Sequence, residues 1–502
     1  MPRKRQLLAI QLGSSPEYPD LVYNIPSYRD GLLYICSHLL STGQYEIDLC
    51  QNLWGDTPFH YDFNKYDAIL ISGLGHQVTS NKELLIQLNK AVGNKPVIMG
   101  GNHATFAPYD ALHYADFAVI GPGEYPVEIL LNRIFDGPYP TPDDIPDRIA
   151  MKSPGGELII GRLTKQSPPM IPIHPSLFKN SPRLVWATVN FTRGCPYNCK
   201  FCYAVRVHGQ KFIKKDIDVI EAELTGIHKA TGCSFFYISD LNFGLDKNYT
   251  RAIIEKIRGK NYNFVAMSRM ELGDDVQLVD DLKNVGFSDF FLGIESLDSG
   301  ILSSYNKKLE ADLQAKRVRT FTEKGLAVHG VFIFGVEGQA YDDILYAAEW
   351  SAENEISYCF FVCYMEYPYQ NRLYGTEQRF PDWRIIQSSP AYQNYCYVGI
   401  FPTNMRPSKL QRTFIKGYKK FMEMRLASKE KSYRMTKIKI WNHNLRYVLE
   451  QMETYAQYLE SIEAPFYNRN DELKQEHLRD YYYEGLKHDP THFENVPLII
   501  KK

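Results

Sequence analysis

The sequence predicts an α/β protein in three parts: a doubly wound, Rossmann-like domain, a partial (β/α)6 barrel of the TIM type, and a helical C-terminal domain. Three observations predict this class. The chain has 502 residues, which is more than one hydrophobic core usually organises. Two stretches of short apolar runs alternate with helix-like segments, the pattern of parallel sheets with crossover helices. Beyond residue 376 the chain changes to aromatic-rich loops and long helical stretches.

The first domain is predicted over residues 1–137. Five apolar runs give its strands, at 7–12, 45–50, 68–74, 96–101 and 117–121. Between the first two, a helical pattern places Leu32, Leu33 and Cys36 on one face. Ser80 and Glu83 have the spacing of a capping box at the start of a later helix.

A proline-rich linker is predicted over residues 138–182, where ten of the 28 prolines lie. The barrel is predicted over residues 183–376, with strands at 184–191, 234–240, 263–268, 289–294, 327–334 and 357–364. Residues 377–502 form the helical C-terminal domain. A tyrosine-rich set in this half is a candidate pocket lining: Tyr367, Tyr369, Tyr395 and Tyr481 to Tyr483.

The amino-acid composition limits the expected cellular location and binding partners of the protein. The 57 Lys and Arg nearly balance the 58 Asp and Glu, which argues against a nucleic-acid or membrane-surface partner. Nine cysteines with three crowded together do not form a secreted disulfide pattern, so a reducing cytoplasmic location is expected. The basic start MPRKRQLLAIQLG has too short an apolar run for a signal peptide and predicts a strand. No run approaches the roughly 18 apolar residues of a membrane span.

One segment departs from the balanced charge. Residues 406–439 hold twelve Lys or Arg and two acids, Glu423 and Glu430. This pattern fits a solvated helix face that is balanced by the acidic residues after Glu450. It also fits a surface for an anionic substrate.

The stretch NFTRGCPYNCKFCY places Cys195, Cys199 and Cys202 in a loop directly after a predicted barrel strand. Thiolates at this spacing suit an iron–sulfur cluster or zinc, and His208 could complete a zinc site. Three buried thiols are the remaining alternative. Because barrel active sites lie at the carboxyl ends of strands, the position favours an open catalytic cluster. Four of the other cysteines are interpreted as buried: Cys36, Cys233, Cys359 and Cys363. Cys396 is left unassigned.

The Cys-x3-Cys-x2-Cys pattern with an aromatic residue before its last cysteine resembles the signature of radical S-adenosylmethionine (SAM) enzymes. The resemblance implies a [4Fe-4S] cluster on the three cysteines and cleavage of SAM to a 5′-deoxyadenosyl radical. It also implies five SAM-binding residues at the barrel mouth: Phe201, Asp240, Ser268, Arg269 and Glu295. Two alternatives remain: Asp240 as the cap of the following helix, and Arg269 in an ion pair at the surface.

The residues that follow the first-domain strands point to a second cofactor. Ligands of doubly wound domains bind at these strand ends, and Gly13-Ser-Ser-Pro lacks the glycine pattern for a dinucleotide. The block resembles the cobalamin-binding domain that precedes the barrel in one radical SAM subgroup. The resemblance implies cobalamin contacts at Ser72, Leu74, Gly100, Gly101, His103, Gly121 and Glu124. A capping or core role remains the alternative for His103.

The subgroup's cobalt-ligating Asp-x-His-x-x-Gly motif is absent from the sequence. Cys50 as a cobalt ligand and a domain without cobalamin therefore remain alternatives.

Together the resemblances imply a cobalamin-dependent radical SAM methyltransferase that acts on an unactivated carbon. Its partners would be a small-molecule or natural-product substrate, anionic if the basic segment binds it, and an electron donor such as flavodoxin or ferredoxin. Radical rearrangement, cyclisation or oxidation without methyl transfer is the alternative chemistry. A non-catalytic iron–sulfur or cobalamin sensor is the alternative of another class.

Overall fold

The computed structural model describes residues 3–13, 30–52, 57–164, 170–179, 184, 186–365, 380–381, 384–386, 396–427, 433–486 and 497–501. Its strands, in chain order, are β1 (Arg5–Leu12), β2 (Tyr45–Asn52), β3 (Ala68–Ser72), β4 (Val97–Gly100), β5 (Phe117–Val119), β6 (Ile149–Lys152), β7 (Leu158–Ile160), β8 (Ala187–Val189), β9 (Thr192–Arg193), β10 (Ile213–Lys214), β11 (Phe235–Ile238), β12 (Asn263–Arg269), β13 (Phe287–Glu295), β14 (Ala327–Phe334), β15 (Tyr358–Cys363) and β16 (Leu498–Ile500).

The α-helices are α1 (Asp30–Ser41), α2 (Gly75–Ser80), α3 (Lys82–Val92), α4 (Gly101–Phe106), α5 (Pro108–Ala111), α6 (Glu124–Asp136), α7 (Ala204–His208), α8 (Ile217–Thr231), α9 (Lys247–Ile257), α10 (Val276–Asn284), α11 (Ser299–Ser304), α12 (Gln314–Thr322), α13 (Tyr341–Glu353), α14 (Pro407–Ala427), α15 (Tyr433–Glu463) and α16 (Gln475–Leu486). In the described part of the chain, no helix combines the length and apolar character needed to cross a membrane.

The first sheet has five parallel strands at its centre, in the order β5-β4-β3-β1-β2. Alternate side chains of β1 enter different cores. Leu7 and Ala9 pack in the cluster that includes α1 and α6, whereas Leu8 and Ile10 pack in the cluster that includes α3. Helices therefore cover both faces, which confirms the predicted doubly wound fold.

This sheet continues beyond residue 137. Strands β6 and β7 extend it in antiparallel pairing, and β16 from the other end of the chain pairs in parallel with β7. The prediction of a linker over 138–182 is thus corrected for 149–160, and the helical domain over 377–502 is corrected for 498–500. These strands have only three or four residues, too few for alternation to distinguish them from loops.

The barrel contains six parallel strands in the order β15-β14-β13-β12-β11-β8, joined through helices α8 to α13. Among the described residues, no pairing joins β8 to β15, so the barrel is open as predicted. Its strands are the six that the apolar runs predict. All their carboxyl ends lie at one rim, where loops can gather catalytic groups.

The C-terminal region is helical over α14, α15 and α16, as predicted. The helix α14 packs on the barrel through Phe414 and Tyr418, whose rings contact Phe361 of β15. The Tyr418 hydroxyl also accepts the backbone N–H of Phe361 at 3.0 Å.

Candidate functional site

The three cysteines lie in a loop that the antiparallel pair β9–β10 encloses. Cys195 is buried, and Cys199 and Cys202 are partly exposed. Gly194 shapes the start of this loop with a φ of 77°. A side chain there would place its Cβ 2.2 Å from the carbonyl oxygen of Lys211. The close approach of the two strands therefore requires glycine.

Backbone N–H groups point at two of the sulfurs. Burial raises the pKa of the Cys195 and Cys202 thiols, whereas backbone hydrogen bonds from Tyr197 to Cys195 and from Ala204 and Val205 to Cys202 lower it. Hydrogen bonds of this kind stabilise thiolates and tune iron–sulfur clusters.

Two cations lie beside the triplet. Arg269 places Nη1 3.9 Å from the Cys199 sulfur and stacks its guanidinium 4.1 Å from the Tyr197 ring. Lys307 Nζ lies 2.5 Å from a carboxylate oxygen of Glu295. Burial raises the pKa of the Cys199 thiol, whereas Lys307 and Arg269 lower it. The two cations therefore favour the thiolate form of Cys199 against the effect of burial.

The Glu295–Lys307 pair is buried where β13 ends. Glu295 adopts a φ of 66°, and Lys307 also donates to the Gly293 carbonyl at 2.8 Å. A Cβ on Gly293 would lie 2.4 Å from Glu295 Oε1 and 2.8 Å from Lys307 Nζ. The sequence predicts Glu295 but does not single out Lys307, because a lysine in a polar turn carries no signal of burial.

The donor set fits an iron–sulfur cluster better than zinc. Among the described residues, no three His, Cys, Asp or Glu side chains converge closely enough to hold one metal ion. A four-iron cluster needs its thiolates on separate irons, so its ligands stand further apart. His208, the alternative zinc ligand, has Arg193, Asp30 and Glu124 as its charged neighbours. Three thiols with N–H donors and nearby cations are the ligand chemistry that a cluster requires.

A cavity of about 210 Å³ lies between the first domain and the barrel. Its walls on the first-domain side are apolar and reach down between the sheet and helices α1 and α6. These walls include Leu70, Ile98, Val119, Val127 and Ile35. We call this cavity the slot. It opens at the carboxyl ends of β3, β4 and β5, next to the point where the strand order reverses around β1, and such reversals are where open α/β sheets bind ligands.

Five of the seven residues predicted for cobalamin line the slot: Ser72, Gly100, Gly101, Gly121 and Glu124. Gly100 has a φ of −125° that any residue can adopt, and a Cβ there would have no neighbour closer than 3.9 Å. The Cβ of a larger residue at Gly100 would thus take up space in the slot without a clash with the protein. Gly101 instead allows two segments of the backbone to pack closely, because a Cβ there would lie 2.9 Å from the Gly73 carbonyl oxygen.

The other two predicted residues do not line the slot. His103 is buried with Nε2 2.9 Å from Asp110, and Leu74 precedes α2 with its backbone N–H bound to Gln77. Burial raises the pKa of the Asp110 carboxyl, but the nearby His103 and His113 rings, 2.9 and 3.8 Å from its oxygens, hold it below its ordinary value. The cobalamin contacts of His103 and Leu74 therefore stay a prediction, and within the protein His103 is buried in the first domain.

The barrel closes the slot with polar residues that follow β8 and the cysteine loop. This wall is formed by Asn190, Thr192, Arg193, His208 and Ser239. Arg193 Nη1 lies 2.5 Å from the buried Glu124 carboxylate, and Ser239 donates to Asp30 at 2.5 Å. The sequence does not predict this wall, because it depends on how the two domains face each other.

Comparison with protein families matches residues 189–351 to the radical SAM superfamily. These residues are therefore similar to a radical SAM domain. The match implies a [4Fe-4S] cluster and SAM as cofactors, as the triplet predicts.

Three relatives extend the comparison beyond the radical SAM domain. The chain is 24% identical over 344 residues to the bacteriochlorophyllide d C-8(2)-methyltransferase of Chlorobaculum tepidum, covering 66% of this chain and 72% of that protein. The radical SAM methyltransferase TsrM of Kitasatospora setae, solved with cobalamin and a [4Fe-4S] cluster, superimposes with a TM-score of 0.59 at 14% identity, covering 73% of this chain and 76% of TsrM.

OxsB, a cobalamin-dependent SAM radical enzyme solved with aqua-cobalamin and SAM, gives a TM-score of 0.60 at 13% identity over 96% of this chain and 75% of OxsB. At these identities the two solved structures show that the fold is shared.

Within the radical SAM domain, the four polar residues predicted to bind SAM are engaged by the protein itself. Arg269 pairs with Glu271 at 2.6 Å and Glu295 with Lys307 at 2.5 Å. Asp240 accepts the backbone N–H groups of Phe191 and Thr192 at 2.7 and 3.0 Å, and the Thr192 hydroxyl at 2.6 Å. Ser268 donates to the Phe243 carbonyl at 2.8 Å. Asp240 thus fixes the strand that leads into the cysteine loop, and its contact with SAM stays a prediction.

Phe201, Arg269 and Glu295 lie together at the mouth of the radical SAM domain. The Phe201 ring packs edge-on against Tyr305 at 5.3 Å, and Lys307 Nζ lies 5.8 Å from its centre. With the triplet, these residues form one continuous site.

The basic segment is partly neutralised over 406–427, where the structure describes its side chains. Arg406 and Lys409 pair with Asp471 at 2.7 and 3.0 Å, and Arg412 pairs with two acids of α15. This pairing supports the solvated helix face over the anionic-substrate surface for these residues.

The remaining predictions on cysteines and tyrosines have mixed outcomes. The structural cysteines Cys36, Cys233, Cys359 and Cys363 are buried as predicted, and so is Cys396. Cys50 is buried in the core of the first domain, which does not support it as a cobalt ligand. Tyr481 and Tyr483 are exposed, whereas Tyr367, Tyr369 and Tyr395 lie outside the described residues.

Proposed function

We propose that the chain is a cobalamin-dependent radical SAM methyltransferase that acts on an unactivated carbon of a small-molecule substrate. The observation that carries the proposal is the position of the slot. It lies at the carboxyl ends of the first sheet and is closed by residues adjoining the cysteine loop, so two cofactors would share one enclosed space.

The slot supports cobalamin as the second cofactor. Its apolar depth suits a flat heterocycle, and its rim offers a few polar groups that can orient a ligand. Gly100 leaves space that a Cβ would fill, which allows a large ligand to approach the backbone. TsrM and OxsB, which share the fold, contain cobalamin.

When bound, a cluster with SAM supplies a 5′-deoxyadenosyl radical, and cobalamin supplies a carrier for a methyl group. Cys195, Cys199 and Cys202 would hold the cluster. Arg269 and the Glu295–Lys307 pair offer charges of both signs beside it, which suits the amino and carboxylate groups of SAM. Enclosure between two domains would exclude water from the reacting centre.

The relatives support methyl transfer over other radical chemistry, since the Chlorobaculum protein and TsrM are both named methyltransferases. The cluster must receive single electrons, so we propose a flavodoxin or ferredoxin as donor. The reducing chemistry also agrees with a cytoplasmic location.

Gly100→Leu tests the slot directly. Because a Cβ there has no protein neighbour closer than 3.9 Å, the variant should fold with normal cluster content and bind hydroxocobalamin at least tenfold more weakly. Gly155→Leu, in an exposed turn between β6 and β7, is the matched control and should bind normally. Cobalamin binding by Gly100→Leu equal to wild type would contradict the proposed cofactor site.

Product analysis tests the reaction. Methyl transfer with two SAM molecules should yield 5′-deoxyadenosine and S-adenosylhomocysteine together in the presence of substrate. Deoxyadenosine without S-adenosylhomocysteine would contradict methyl transfer and support a rearrangement, cyclisation or oxidation. The absence of SAM cleavage in reconstituted protein, with an intact cluster and a reductant, would support the sensor alternative.

A further inference from the structure

The short helix α7 connects the cysteine loop to the slot. At its start, the backbone N–H groups of Ala204 and Val205 donate to the Cys202 sulfur. At its end, Val207 and His208 line the slot. One helix of five residues therefore reaches from a cluster cysteine to the wall of the second cofactor site.

The residue after the helix contacts a second cysteine. Gly209 accepts the backbone N–H of Cys195 through its carbonyl at 3.2 Å. Gly209 adopts a φ of 81°, and its carbonyl oxygen lies 3.1 Å from the position that a Cβ on Gly194 would take. Since these atoms pack closely, a displacement of His208 must also move groups that touch Cys195 and Cys202.

The His208 side chain is oriented to meet a ligand. It is exposed and lines the slot, with Arg193, Asp30 and Glu124 as its charged neighbours. Among the described residues it has no hydrogen-bond partner, whereas Arg193 and Glu124 are paired with each other. Burial and Arg193 lower the pKa of His208, so its imidazole is neutral and can accept a hydrogen bond.

A second polar group on the same wall lacks a partner. The side-chain carbonyl oxygen of Asn190 is buried beside the slot with no hydrogen bond. A buried polar atom left without a partner costs free energy. A ligand with amide or hydroxyl donors would satisfy both Asn190 and His208 from the barrel side.

We propose that α7 couples occupancy of the slot to the reduction potential of the cluster, with His208 as the positioning residue. This inference rests on the proposed function, because it requires a cofactor in the slot. A ligand bound to His208 restrains α7 and thereby secures the N–H bonds to the Cys202 sulfur.

The direction of the effect follows from charge. A reduced cluster carries one more negative charge than an oxidised one, and N–H donors to its sulfurs stabilise that charge. Occupancy of the slot therefore makes the potential more positive. By thermodynamic linkage, the reduced protein binds the slot ligand more tightly than the oxidised protein does.

Two measurements on the full-length, cluster-reconstituted chain test this coupling. The first is the midpoint potential of the cluster, followed by electron paramagnetic resonance with and without methylcobalamin. The second is the affinity for methylcobalamin in the oxidised and reduced states. The two must agree, since tenfold tighter binding to the reduced protein corresponds to a shift of about 59 mV for one electron.

The variants His208→Ala and His208→Gln separate the coupling from simple electrostatics. We expect His208→Ala to bind methylcobalamin more weakly and to lose most of the shift, whereas His208→Gln, which keeps a hydrogen-bonding side chain, should keep part of it. His60→Ala, exposed on the surface of the first domain, is the matched control and should behave as wild type.

The outcomes distinguish this inference from the proposed function. Wild-type protein that binds methylcobalamin with equal affinity in both redox states would overturn the coupling and leave the cofactor assignment standing. A full shift in His208→Ala would overturn the role of α7. Failure of wild-type protein to bind any cobalamin would overturn the proposed function and, with it, the coupling.

Discussion

At the scale of single residues, the most informative pair is Glu295 and Lys307. Both side chains are buried and stand 2.5 Å apart beside the cysteine loop. Lys307→Met leaves the Glu295 carboxylate buried without its cation, which typically costs about 3–5 kcal/mol. We expect a corresponding loss in the free energy of unfolding in urea.

The double variant Glu295→Gln with Lys307→Met serves as the control for this pair. Because it removes both charges, it should recover much of the lost stability, and the difference measures the interaction. Equal stability of wild type and Lys307→Met would show that the buried pair does not form.

Asp240 gives a prediction about pH. Burial raises the pKa of its carboxyl from 3.8 to about 6, although hydrogen bonds from Thr192 and Phe191 oppose the rise. The folded protein therefore binds more protons than the unfolded chain between about pH 4 and 6, and stability from this group falls as pH rises through that window. Relative to Asp240→Asn, wild type should lose about 1 kcal/mol of unfolding free energy between pH 5 and 7.

Asparagine is a suitable replacement for Asp240, because its carbonyl can accept the same two backbone N–H groups while its amide donates to the Thr192 hydroxyl. Urea unfolding of both proteins at several pH values provides the measurement. A difference between them that does not change with pH would contradict a raised pKa.

At the scale of secondary-structure elements, the sequence predicts the parts with a strong local signal. The central strands of both sheets are apolar on two faces, and each parallel strand is followed by a helical pattern, so their positions follow from the sequence. The cysteine loop is also local, since one stretch holds all three ligands. In contrast, β6, β7 and β16 are short, and their pairing joins distant parts of the chain.

The same distinction explains the candidate site. Glu295 lies at the end of a predicted strand, so its place at the barrel mouth follows from the sequence. Arg193 and His208 reach the slot only because the two domains face each other, and no local pattern carries that information. His103 follows a predicted strand, as a ligand-binding residue would, but it turns into the first domain toward Asp110.

The strand β16 gives a prediction at this scale. It covers β7 through backbone hydrogen bonds from Leu158 to Pro497 at 2.9 Å and from Lys501 to Ile160 at 2.8 Å. Deletion of residues 497–502 exposes the edge of β7, and an uncovered apolar edge promotes association. We expect a lower thermal midpoint and increased light scattering, with unchanged cluster content.

Deletion of Lys502 alone is the control for this truncation and should leave both readouts unchanged. A deletion of 497–502 that stays monodisperse with the wild-type midpoint would show that β16 does not stabilise the sheet.

At the scale of the whole molecule, a buried polar seam holds the first domain against the barrel. Lys215 and Glu223 of the barrel form an ion pair at 2.8 Å with both side chains fully buried. Tyr34 of α1 enters this pair: its hydroxyl donates to Glu223 at 3.0 Å and accepts from Lys215 at 2.9 Å and from the Asn190 backbone N–H at 3.0 Å. The seam therefore fixes the domain orientation that forms the slot.

Tyr34→Phe tests whether this orientation supports the cofactor site. The variant keeps the ring and the Lys215–Glu223 pair but leaves the buried N–H of Asn190 without an acceptor, which costs about 1–3 kcal/mol. Because Asn190 also lines the slot, cobalamin affinity should fall together with stability, while the cluster content, set by the cysteine loop, stays unchanged.

Tyr346→Phe, on an exposed face of α13, controls for loss of a hydroxyl. If Tyr34→Phe lost stability yet bound cobalamin as wild type does, the seam would stabilise the fold without positioning the slot, and the two domains would form their cofactor sites independently.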